Sequence, residues 1–221
     1  AWWVCVFVFN APAPPEICTC SLPDALPFFI GFRVLTLLII VGIQGGILAG
    51  TAVLLGDKGP KYDGRLTIVP FSHIDFAGAI SLIIFGLGWA KPMDIDSQQF
   101  RVSSVGIIAT ILAGFIGLLV TATLLNELVI PALTTLPFTV GIATAEFLRG
   151  ASSLTIWFAL LSLIPIPPLT GGLLISTIGI RVPKKTQWII TATLLVAVAT
   201  GVAHQLLEPA YSVLASLILG K

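Results

Sequence analysis

From Phe28 to Gly56 the chain runs through apolar residues, and Arg33 and Gln44 are the only strongly polar side chains to interrupt it. An α-helix needs about 20 such residues to cross a bilayer, so this run is long enough to span with tilt. Other largely apolar runs follow at Ile74–Trp89, Val105–Ile130, Ala143–Ile164 and Trp188–His204, with a shorter one at Glu208–Gly220. Only 10% of the residues are charged and 57% are hydrophobic, against roughly 25% charged in soluble domains. A water-facing surface cannot be assembled from so few charges. The expectation is an all-α polytopic membrane protein with about five to six transmembrane helices and short strand or loop insertions, including a strand near Leu66–Val69. Residues 1–28 read as an N-terminal aromatic segment and a Pro-rich linker, and residues 29–221 as one transmembrane domain. The lipid bilayer is the first partner implied, and a net charge of +1 gives no reason to expect nucleic acid.

The polar residues divide into loops and isolated side chains. Counting spans puts Lys91, Arg101, Arg181, Lys184 and Lys185 on one membrane face and Lys58, Lys61, Arg65 and Arg149 on the other. The positive-inside rule favours the first group as cytoplasmic. For Cys5, Cys18 and Cys20 three readings stay open: unpaired thiols, a disulfide or extracytoplasmic role, and a metal. The Cys-x-Cys pair lacks the usual zinc spacing. His73 and Asp75 read as loop-packing residues or a metal pair, and His204 as an interfacial hydrogen-bonder or a ligand. Glu127 reads as interfacial. Glu146 and Arg149, three apart on one helix, read as an intrahelical pair or a partner-docking pair. Gly42, Gly46 and Gly50 share one helix face. Such a face permits close backbone approach, so it suits a tight helix–helix contact, a pigment or lipid contact, or ordinary internal packing.

Several short motifs recur in a fixed order. They are Leu55-Gly56-Asp57; Gly64-Arg65-Leu66-Thr67 followed by Pro70; His73-Ile74-Asp75 followed by Gly78; Gly88-Trp89-Ala90-Lys91-Pro92; and Pro165-Ile166-Pro167-Pro168-Leu169 followed by Gly171-Gly172. In order and spacing, from about residue 30 to 180, this set resembles the site-2 proteases of the M50 family, compact bacterial type. These are intramembrane zinc metalloproteases. The resemblance implies a site-2-protease-like core in which Pro165, Pro167, Pro168, Gly171 and Gly172 hold an irregular backbone at membrane depth.

The resemblance also implies where a catalytic site would lie. The family's His-Glu-x-x-His helix falls on Gln44-Gly45-Gly46-Ile47-Leu48, so Gln44 and Leu48 stand where the family has its two His ligands. Gly45 stands at the general base, and Thr170 at the Asp that completes the ligand set. Ser162 and Val69 match two further family Asn positions. Zinc takes His, Cys or carboxylate ligands, and glycine has no group to move a proton. No metal, no cofactor and no catalytic residue is therefore expected. The expected function is a catalytically inactive structural or accessory subunit of a larger membrane complex, beside other transmembrane subunits. Its expected place is a bacterial inner (cytoplasmic) membrane or a derived internal membrane. The alternatives are a pseudoprotease that binds or shields a transmembrane client, and an active protease with atypical ligands.

Overall fold

A computed structural model describes residues 22–93, 103–177 and 183–220. The three cysteines, the aromatic N-terminal segment, Arg101 and Arg181 lie outside these ranges. The described residues form an all-α assembly: α1 (Leu22–Leu55), α2 (Gly59–Tyr62), α3 (Phe76–Phe85), α4 (Ser103–Glu127), α5 (Val129–Thr135), α6 (Phe138–Leu163), α7 (Leu173–Thr177), α8 (Lys184–Ala199) and α9 (Val202–Leu219). Among them no strand forms near Leu66–Val69, and a single β-bridge joins Ile74 to Ala90. Among the described residues, three helical stretches are long and apolar enough to cross a membrane: Pro27–Leu55, Val105–Thr135 and Val202–Leu219. The other apolar runs are shortened by turns or, in α6, carry Glu146 and Arg149.

Proline and glycine set the helix boundaries, though not always where the sequence points. α1 begins at Leu22, inside the expected linker; Pro23 falls in its first turn, where a missing N–H costs no intrahelical bond, and Pro27 is carried inside the helix. Pro131 likewise falls in the first turn of α5, so the break lies before it, at Leu128. The break expected near Glu208 lies instead at Gly201, whose φ of 80° is left-handed and free of steric cost for glycine. Pro209 is carried inside α9.

The largest departure from the expected topology concerns residues 57–93. The sequence suggests a second span at Ile74–Trp89. Instead the chain leaves α1 at Leu55, turns through α2 and folds back along α1. A Cβ built on Gly42 would stand 2.6 Å from the Ile68 carbonyl oxygen. Gly42 lies one residue past the midpoint of the Pro27–Leu55 stretch. α3 continues inward from there, and its C-terminal carbonyls meet Arg33. That guanidinium donates to Ile83 O at 2.6 Å and Ile84 O at 2.9 Å, and it stacks 4.1 Å from the Phe29 ring. Ten residues of helix rise about 15 Å, which matches the eleven-residue offset between Arg33 and Gln44 on α1. The chain then reverses at Gly86 (φ 81°) and climbs back beside α3. Gly78 and Gly88 make the return possible, since a Cβ on Gly78 would overlap the Trp89 carbonyl and one on Gly88 the Gly78 carbonyl. Lys91 N–H donates to His73 O at 2.8 Å, and Arg65 donates to Pro92 O at 2.8 Å.

Residues 57–93 therefore enter and leave on the same side. This is a re-entrant hairpin, and Lys91 lies on the face of Lys58, Lys61 and Arg65. The expected grouping of basic residues, with Lys91 opposite them, is corrected accordingly.

α4 runs antiparallel to α1. Ile107 and Ile111 pack with Leu48, Ala49 and Ala52, and Leu118 packs with Leu37, Ile40 and Val41. α6 lies against α4, with Ser152 donating to Ala122 O at 2.7 Å. Helix association in lipid gains little from the hydrophobic effect and depends on close packing and buried hydrogen bonds. The buried hydroxyls here mostly bond back to their own helix, as in Thr36 to Phe32 O (2.8 Å), Thr110 to Gly106 O (2.8 Å) and Thr155 to Ala151 O (2.6 Å). α9 closes the assembly. Tyr211 stacks on Trp157 at 4.2 Å and bonds Ser153 at 2.7 Å, His204 packs at 4.8 Å from Trp157, and Asn126 donates to Ile218 O at 3.0 Å.

Candidate functional site

Two chain breaks converge halfway along α1. α6 ends at Leu163, and the Pro165–Pro168 segment turns the backbone before a 3₁₀ turn at Thr170–Gly172 and the short α7. Gly171 and Gly172 sit so tightly in this turn that a Cβ on Gly171 would overlap the Leu163 and Ile164 carbonyls, and one on Gly172 would stand 2.8 Å from Pro167 N. The turn brings Thr170 to α1, where Gln44 Nε2 donates to Thr170 Oγ1 at 3.4 Å. These positions are 126 residues apart in sequence. Gln44 is 1% exposed, and its Oε1 makes no hydrogen bond with any described residue.

Gly45 and Leu48, next on α1, have different surroundings. A Cβ on Gly45 would overlap the imidazole of His73 from the re-entrant hairpin. That ring is 1% exposed, and its Nε2 lies 3.0 Å from Thr67 O. A carbonyl can only accept, so Nε2 donates to Thr67 O. Of the two roles open to His73 in the sequence, loop packing and a metal pair, its contact with Gly45 is a packing one. A ring can lie on a helix backbone only where the side chain is absent, and Gly45 leaves that space. Leu48 is buried among Ala49, Ala52, Met93, Ile107 and Ile111, with Leu173 and Leu174 packed against them.

Gly42 and Gly46 also receive the hairpin and not another helix. Gly42 faces the Ile68 carbonyl, and a Cβ on Gly46 would stand 3.3 Å from Ile68 Cγ1, whereas Gly50 has open space. The glycine face is thus a seat for irregular backbone on two of its three positions. Asp75 is the N-cap of α3, accepting from Gly78 N–H at 2.9 Å, which ties it to that helix. Asp57 is fully buried and accepts from Gly59 N–H at 2.7 Å. Glu146 and Arg149 form an exposed pair at 3.7 Å.

The donor chemistry at this site does not fit zinc. Gln44 offers a neutral amide, Thr170 a hydroxyl, and Leu48 no donor atom in an apolar cluster. Among the described residues no three side chains of His, Cys, Asp or Glu converge. No group positioned at Gly45 could act as a general base, and the His73 imidazole occupies the space a side chain there would need.

The chain is similar to a protein of Bacillus subtilis (strain 168) named "Putative zinc metalloprotease YwhC", with 29% identity over 167 residues, covering 71% of this chain and 74% of that one. No protein-family model matches the chain, and no solved structure matches it. The similarity to YwhC supports the site-2-protease-like resemblance carried by the motifs.

Proposed function

We propose that this chain is a catalytically inactive, site-2-protease-like membrane protein that serves as an accessory subunit of a larger membrane assembly. Two features support the inactive part. Gln44, Leu48 and Thr170 stand at the three positions where the resemblance expects metal ligands, and their chemistry does not suit zinc. Gly45 stands at the general base, with His73 packed on it.

The observation that carries the accessory role is the outer face of the re-entrant hairpin. Ile68 is 72% exposed and Phe71 79% exposed, at the depth of the middle of α1. Neither the N–H nor the carbonyl of Ile68 is hydrogen-bonded to any described residue. Irregular backbone at membrane depth is tolerated where protein buries it or a water-filled cavity meets it, and not against lipid. A partner's transmembrane segment against Ile68 and Phe71 would meet that requirement.

Mild extraction from the native membrane tests the reading. The expected result is one partner at constant stoichiometry, released by Phe71→Glu while the chain keeps its helical content. Purification as a stable monomer, or with a changing set of membrane proteins, would overturn the accessory reading, and the second result would favour client shielding.

A further inference from the structure

We propose that Gln44 and Thr170 together bind a single water molecule at the position where the resemblance expects a metal. The inference rests on the reading of the site as zinc-free. Gln44 is 1% exposed, and its Oε1 has no hydrogen-bond donor among the described residues. Its Nε2 donates to Thr170 Oγ1 across 3.4 Å, which is long for a direct bond. Thr170 then accepts, and its own hydroxyl proton has no acceptor among the described residues. The pair is left with one spare acceptor and one spare donor side by side.

Water donates to the first and accepts from the second. Turning the amide over does not change the conclusion, because Thr170 would then donate to Oε1 and the Nε2 protons would be left for the water to accept. A cation would meet one neutral carbonyl and one hydroxyl with no carboxylate, and an anion would meet a neutral amide and a hydroxyl with no positive charge from either. Two neighbouring donors are committed elsewhere. Ser162 Oγ donates to Ala159 O at 2.7 Å, and His73 Nε2 donates to Thr67 O at 3.0 Å. The turn that presents Thr170 is fixed by Gly171 and Gly172, so the two groups face each other in the folded chain without rearrangement.

Water itself is the probe. X-ray pulses on the intact protein in its native complex generate hydroxyl radicals from bound water, which oxidise adjacent side chains. Leu48, one helical turn from Gln44 and shielded from bulk solvent at 4% exposed, is expected to be oxidised in the wild type. The labelling should fall several-fold in Gln44→Met, which keeps the volume and removes the amide, and in Thr170→Val. A density map of the same complex should show a peak about 2.7–3.2 Å from both side chains. Absence of both the peak and the Leu48 labelling in the well-folded wild type would overturn the proposal. A peak with a metal's anomalous signal would instead overturn the zinc-free reading beneath it.

Discussion

Replacing Gly45 by alanine opposes two effects of known size. In the middle of a helix such a change ordinarily stabilises by about 1 kcal/mol, because alanine loses less backbone freedom on folding. At Gly45 the new methyl would overlap the His73 ring, which is 1% exposed and held through Nε2 to Thr67 O at 3.0 Å. Displacing the ring breaks that bond, worth about 1 kcal/mol, and overpacks the site at a typical cost of about 1–3 kcal/mol. Gly45→Ala is therefore expected to destabilise by about 1–3 kcal/mol after the helix gain is subtracted. Gly150 in α6 is the control, since a Cβ there meets nothing within 4 Å. Gly150→Ala should be neutral or stabilising by up to about 1 kcal/mol. In reversible unfolding in mixed micelles, the Gly45→Ala/His73→Ala double variant should be less destabilised than the sum of its singles by about 1–2 kcal/mol. If Gly45→Ala stabilises as Gly150→Ala does and the double variant is additive, His73 does not pack on Gly45 and the description of the site fails.

Three further outcomes follow from the same geometry. Gly42→Ala should cost about 1–3 kcal/mol, because the new methyl would meet the Ile68 carbonyl at 2.6 Å, while Gly50→Ala should not destabilise; equal effects at both sites would remove the hairpin from this face. Arg33→Leu should loosen α3 by about 2–3 kcal/mol, read as faster hydrogen exchange at Ile83–Phe85, since the guanidinium is the cap for those carbonyls; unchanged exchange would contradict the cap. Lys58→Cys and Lys91→Cys should react with an impermeant maleimide from the same side of sealed vesicles; labelling from opposite sides would show that Ile74–Trp89 crosses the membrane.

Much of the fold was legible because lipid imposes so plain a constraint. The run from Phe28 to Gly56 could scarcely be anything but a spanning helix, and α1 with Val105–Thr135 follows the apolar pattern closely. The re-entrant hairpin was not legible, because Ile74–Trp89 has a span's composition and composition does not say that a chain turns back. What decides it are side chains absent in pairs: Gly42 beneath Ile68, Gly45 beneath His73 and Gly78 beside Gly88. Each glycine alone is compatible with a helix–helix face, and the partner becomes known only when the hairpin is placed. Proline misled in the other direction. The Pro-rich linker was expected to run to residue 28 and the apolar run to end at Ile130, yet Pro23 and Pro131 lie in first turns, where no hydrogen bond is lost. At the site, the juxtaposition of Gln44 and Thr170 follows from motif order, whereas their mutual hydrogen bond and the unpaired Gln44 carbonyl required coordinates.

The central claim is that the site at Gln44, Gly45, Leu48 and Thr170 holds no catalytic metal. The most direct measurement is the zinc content per chain of protein extracted from its native membrane without chelators, by elemental analysis. The account predicts far less than one zinc per chain, unchanged by Gln44→Leu. One zinc per chain, removed by a chelator and lost in Gln44→Leu or Thr170→Val, would contradict it.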